Sequence, residues 1–116
     1  MTIHLDKING FDGAGGGGGG GNIKEITIDT AVVTIDKIKK NAVYRLTNSN
    51  ITSITFSDCE QSELVTKIDF TTGATAPTFT DNSGIDWADG ETPVFQSYQH
   101  YWIIISDKVG FVKEIY

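Results

Sequence analysis

Apolar and polar residues alternate with a period of two along much of this chain from Ile23 onward. That spacing belongs to half-buried β-strands and not to helices. In "ELVTKIDF", Leu64, Thr66, Ile68 and Phe70 share one parity, and Lys67 and Asp69 take the other. "IKEITI" alternates through Ile26 and Ile28. "AVYRL" sets Ala42, Tyr44 and Leu46 against Val43 and Arg45, and "ITSITF" carries Ile54 and Phe56. In "YQHYWIII" both parities are rich in apolar residues: Tyr98, His100, Trp102 and Ile104 on one, Tyr101, Ile103 and Ile105 on the other. A strand apolar on both faces is expected at the centre of a sheet or at a subunit contact. "GFVKEIY" reads as a last strand. "TIDKIKKN" has some helical spacing but is short, and reads as strand and turn.

Between these segments lie "TNSN", "TTGATAP", "DNSG", "DWADGETP" and "SDKVG", built from the residues that make tight turns. Strands recurring about every 10 residues with turns between them predict an all-β fold, an antiparallel, jelly-roll-like β-sandwich. No internal repeat is visible.

The first 22 residues stand apart. A short apolar stretch, "IHLDKI", leads into "NGFDGAGGGGGGGN", with seven consecutive glycines: Gly15, Gly16, Gly17, Gly18, Gly19, Gly20 and Gly21. Ordering seven residues costs about 7–14 kcal/mol, comparable to the whole net stability of a domain, about 5–15 kcal/mol. The run is therefore expected to be a flexible tether, or to be ordered from outside, by other copies of the chain or by a larger assembly. Without Cβ atoms, such a segment can pack backbone against backbone at a crowded symmetry axis. The expected organisation is an extended glycine-rich N-terminal arm, residues 1–22, serving anchoring or oligomerisation, followed by a β-sandwich domain, residues 23–116.

Composition narrows the function. A chain of 116 residues suits one small domain with one core. A formal net charge of −6 argues against nucleic acid, which demands a cationic face, and against anionic membrane surfaces. The start, "MTIHLDKING", lacks the apolar core of a secretory signal, and no apolar run is long enough for a spanning helix. The single cysteine, Cys59, permits no intrachain disulfide and no cysteine-based metal cluster.

Little in the chain points to catalysis. His4 and His100 have no histidine or cysteine at ligand spacing. His4 could meet symmetry mates on a trimer axis and hold a metal, and the plainer reading is a surface or packed histidine. Cys59 sits among carboxylates in "SDCEQSE", which weaken a thiol nucleophile. Asp81, Asp86, Asp89 and Glu91 in "DNSGIDWADGE" invite a calcium reading, but Gly84 falls at position four of that stretch, where an EF-hand loop has its glycine at six. Turn building is the simpler account. Paired carboxylates of a small hydrolase are conceivable only with a cleft. No cofactor is expected. Trp87, Trp102, Tyr98, Tyr101 and Tyr116 crowd the last third of the chain. There they serve core or interface packing, or, if exposed and coplanar, stack on sugar rings.

The segments "KIDFTTGATAPTF", "IDWADGETPVF" and "YQHYWIIISDKVGF" resemble a small β-domain that recurs in virion proteins of tailed phages, such as head or tail fibres and minor structural proteins. The matching positions are Phe70, Gly73, Trp87, Gly90, Pro93, Ile103 and Gly110, and the likeness spans roughly residues 42–116. It implies no catalytic residues. Gly73 and Gly90 would permit tight turns, Pro93 would stiffen the exit of one, and Trp87 would plug one end of the sandwich. Tyr101 and Trp102 would pack at the core or subunit interface. The implied protein is non-enzymatic, made in the host bacterial cytoplasm and carried in the virion. It would be a capsid- or tail-attached fibre or decoration protein, anchored by its arm and expected to be a homotrimer. Its partners would be other virion proteins of capsid, portal, collar or tail, with a host-surface glycan as a further ligand. The alternative is a carbohydrate-binding module outside any particle. The seven-glycine arm and the lack of a long shaft depart from the fibre pattern.

Overall fold

The computed structural model describes residues 23–116. The arm, with Gly15 to Gly21 and His4, lies outside the described residues.

The described chain is all-β. Its strands are β1 (Lys24–Ile28), β2 (Val32–Ile35), β3 (Ala42–Leu46), β4 (Ser53–Phe56), β5 (Thr66–Thr71), β6 (Thr78–Asp81), β7 (Asp86–Trp87), β8 (His100–Ser106) and β9 (Val109–Ile115). They form a six-stranded sheet in the order β1-β3-β5-β8-β9-β7 and a three-stranded sheet in the order β2-β4-β6.

The antiparallel sandwich expected from the sequence is corrected by the pairing. β1, β3 and β5 run parallel, and so do β2, β4 and β6. From β1 to β6 consecutive strands alternate between the two sheets, so the chain turns a corner after each one and returns one layer further along, as in a β-solenoid. The hydrogen-bond ladders continue through the corners. Thr47 N donates to Ile28 O at 3.0 Å, Thr52 N to Ala31 O at 2.8 Å, Ser57 N to Ile35 O at 3.0 Å, and Asn82 N to Phe56 O at 2.8 Å. A parallel bridge between Ile38 and Cys59 adds a short third side. Antiparallel pairing enters only where β8 joins β5 and hairpins into β9. That hairpin extends the large sheet beyond β5, while β6 stays the edge of the small sheet at the same end among the described residues.

The core lies between the two sheets, and its residues follow the strand parities. Ala42, Tyr44 and Leu46 of β3, Ile68 and Phe70 of β5, and Tyr101, Ile103 and Ile105 of β8 point inward. They meet Val33 and Ile35 of β2 and Ile54 and Phe56 of β4. Each fully buried large side chain contributes about 1.5–3 kcal/mol. β8 is central and buried on both faces, as its double pattern predicts. Its other parity, Trp102 and Ile104, packs with Val65 and Phe111 in a second, outer cluster.

Two details depart from the parity reading. Leu64 is exposed, because β5 begins only at Thr66. Lys67, assigned to a polar face, is 1% exposed, and its ammonium lies 4.2 Å from the centroid of the Trp102 ring. The long Lys stem packs on the outer apolar cluster while its charge faces the indole π-cloud.

Candidate functional site

A groove of about 690 Å³ opens at the β7–β9 side of the large sheet. Trp87, Ala88, Asp89, Pro93 and Val94 line one side, and Tyr101 with Phe111, Val112, Lys113 and Glu114 lines the other. Strand pairing explains its position. β7 is only two residues long and pairs with Val109 and Gly110 alone. Ala88 N donates to Gly110 O at 2.8 Å, and the chain then leaves the sheet. It turns through Gly90, whose φ is +85° and whose N–H donates to Trp87 O at 2.8 Å. From Phe111 onward, β9 is an edge strand among the described residues.

Trp87 is held from several sides. Its indole Nε1 donates to Asp81 Oδ2 at 2.9 Å, its ring meets Phe79 edge-on at 5.7 Å, and it lies over Gly110. The other oxygen of Asp81 accepts from Ser83 N at 2.9 Å and from the Ser83 hydroxyl. Asp89 Oδ1 accepts from the Glu91 amide at 3.1 Å. These acidic residues act as turn and anchor groups. Among the described residues no group of three or more His, Cys, Asp or Glu side chains is placed to hold a metal.

Trp87 is half-buried and packs against the core cluster, and Phe95, 2% exposed, is buried beside it. Phe95 sits 5.1 Å from Phe70, 5.4 Å from Phe79 and 4.9 Å from Tyr101, centroid to centroid. Pro93 stands two residues before it on the groove wall. Tyr101 is buried, and its hydroxyl accepts from Gln96 N at 2.8 Å, which ties the Pro93–Gln96 segment to β8. Gly73 serves a different purpose from the turn φ expected of it. A Cβ there would lie 2.3 Å from Ser49 O, so glycine is needed for the close stacking of successive turns.

The structure thus brings Trp87, Pro93 and Tyr101 to one groove, with Gly90 at the tip of the loop between the first two. Trp102 belongs to the opposite face of β8, and Gly73 to the corner between coils. The sequence reading missed Phe95, Phe111, Lys113 and Glu114. The last three lie in "GFVKEIY", which the sequence marks as a last strand but without an alternation that singles them out.

A second polar feature crosses the outer face of the large sheet. Arg45 Nε bonds Glu25 Oε1 at 2.6 Å and Arg45 Nη1 bonds Asp69 Oδ2 at 3.3 Å. His100 Nε2 lies 2.5 Å from Asp69 Oδ1. The row joins β1, β3, β5 and β8. It reads as cross-strand pairing of charged and polar side chains.

Burial pushes the Cys59 thiol up to about 11. Lys108 opposes that shift, and Asp58, Asp81 and Glu60 reinforce it. Burial likewise raises Tyr44, whose hydroxyl accepts from Lys39 N at 2.8 Å. Neither is tuned as a nucleophile or base. No helix among the described residues is long and apolar enough to cross a membrane.

No protein-family model, curated protein or solved structure matches this chain.

Proposed function

We propose that the chain is a non-enzymatic structural protein of a tailed-phage particle, a fibre or decoration protein attached to capsid or tail on its N-terminal side. One observation carries this reading: the two ends of the coil stack differ. The β8–β9 hairpin covers β5 at one end, whereas β1 and β2 at the other end are edge strands among the described residues. Val32 on that side is 62% exposed. A stack whose large sheet is extended by a hairpin at one end, while both first strands are bare edges at the other, suits a terminal module that abuts a further layer of β-structure at the bare end. The glycine-rich N-terminal residues precede the bare end in sequence, where attachment would occur, and the hairpin end would project outward. The phage resemblance in residues 42–116 supports the same assignment.

The carbohydrate-binding reading has less to rest on. Tyr101 is buried, Trp87 is fixed edge-on to Phe79, and the most exposed aromatics, Tyr98 and Tyr116, fall on a turn and at the chain end.

Immunogold labelling of particles induced from the host that encodes the chain tests the proposal. Label at head, collar or tail is expected. Particles free of label, with the protein abundant in the lysate, would overturn it. Light scattering gives the oligomer: three chain masses are expected for the full chain, and a monomer would remove the homotrimer from the proposal.

A further inference from the structure

The groove beside β9 contains an unfinished hydrogen-bond ladder. Ser106 and Val109 close a two-residue hairpin loop, Asp107–Lys108. In such a hairpin the closing residues bond each other, so β9 residues directed toward β8 are Val109, Phe111, Lys113 and Ile115. The alternate residues direct their backbone groups the other way. Two bonds agree: Lys108 O accepts from Asp86 N and Gly110 O accepts from Ala88 N, both at 2.8 Å. Continued along the strand, this places the N–H and C=O of Val112 and Glu114 outward, into the groove. β7 ends at Trp87, so these four groups have no ladder partner among the described residues.

The walls fit an added strand. Val94 is 80% exposed beside Pro93, and across from them lie Phe111 and Val112. These offer apolar contact to alternate side chains of an extended segment. The polar lining is Asp89, Glu114 and Lys113, Glu91 lies on the same loop, and the chain carries −6 overall. Glu114 also accepts from the Tyr116 hydroxyl. The charge balance therefore favours a cationic occupant. Pairing β9 with β9 of a second copy is less suited. A two-fold register that keeps faces matched and centres on the groove sets Lys113 against Lys113.

We infer that an extended basic peptide segment of a partner protein docks in this groove, adding a strand to β9 through Val112 and Glu114. The inference rests on the free edge and stands whether or not the chain belongs to a particle.

The test uses the full chain and an acetylated, amidated hexapeptide alternating lysine with valine, followed by amide NMR. Saturable shifts centred on Val112 and Glu114 are expected, with amide exchange at those two residues slowed about tenfold. A hexapeptide N-methylated on its pairing edge should not bind. A version with glutamate for lysine should bind about tenfold more weakly, equivalent to about 1.4 kcal/mol. Glu114→Pro removes one outward N–H without touching the β8 ladder and should abolish binding. Glu114→Lys, which keeps the backbone donor, should reverse the preference between the two peptides. Equal binding of the N-methylated peptide would overturn the inference. So would shifts confined to β1 and β2, or no binding at roughly 1 mM peptide, the weak end of specific recognition. Oligosaccharide perturbing the groove while the peptide does not would likewise overturn it and assign the groove to a sugar.

Discussion

Gly110 lies directly beneath the ring of Trp87. A Cβ at Gly110 would come within 2.8 Å of Trp87 Cζ3 and 3.1 Å of Cε3, and within 3.0 Å of Ile85 Cγ2. The glycine thus sets how closely β7 approaches β9, and through it where the groove begins.

Gly110→Ala is expected to destabilise the fold by about 1–3 kcal/mol, the usual cost of overpacking, and to displace the indole from its bond with Asp81. Urea unfolding gives the first quantity and the shift of the indole N–H resonance the second. An unchanged midpoint with an unmoved indole would contradict the contact.

Gly73→Ala should be more damaging, because the obstacle is backbone and cannot rotate away. A Cβ there would meet Ser49 O at 2.3 Å and Ser49 C at 3.4 Å. The expected loss is about 3 kcal/mol, at the upper end for a steric insertion, read from urea unfolding. Damage should spread to amides of both stacked turns, Asn48–Asn50 and Gly73–Thr75. Wild-type stability would show that the turns are not packed this closely.

The hairpin turn offers a change in the opposite direction. Asp107 and Lys108 have φ of +54° and +56°, a left-handed conformation that glycine adopts at lower cost. Lys108→Gly, giving the favoured Asp-Gly turn, should raise stability by roughly 0.5–1 kcal/mol, part of the left-handed penalty of about 1–2 kcal/mol per residue. Thermal unfolding measures it. A lower Tm would indicate that the Lys108 side chain contributes more than the turn strain costs.

Cys59 supplies a pH signature. Its thiol titrates near 11 in the folded chain against an ordinary value of 9.0, because burial disfavours the thiolate. The folded state therefore holds this proton more tightly than the unfolded state. The stability linked to it is complete below about pH 9 and is lost as pH rises toward 11. Cys59→Ala should remove that component from the pH dependence of Tm. At pH 8 a thiol reagent should react slowly with the native chain and readily in denaturant. Rapid native reaction would show Cys59 to be accessible.

The strands of the core were legible because period two is a local property. The inward sets Ala42, Tyr44, Leu46 and Ile68, Phe70 followed from parity alone, and so did the central place of β8 from its two apolar faces. The strands β6 and β7 were not legible, since β6 carries a single apolar residue, Phe79, and β7 spans only two residues, so neither displays a period. Nor was the coil repeat. The large sheet takes the chain from Lys24 to Ala42, then from Val43 to Lys67, returns of 18 and 24 residues, and no fixed spacing survives such unequal turns. In the candidate site, Trp87 and Pro93 stood out as turn and aromatic residues. Phe111, Lys113 and Glu114 did not, because their importance lies in which edge of β9 is left unpaired among the described residues.

By itself, then, the sequence determined that the chain is β-rich, which side chains of its longer strands face inward, and where the chain turns. Each depends on residues a few positions apart. Tertiary structure alone decided that the first six strands stack in parallel coils instead of folding back as hairpins, that Lys67 is buried against Trp102, and that β9 keeps one edge open among the described residues. Those outcomes depend on contacts between segments distant in sequence, and the same alternation of apolar and polar residues fits a parallel neighbour as well as an antiparallel one.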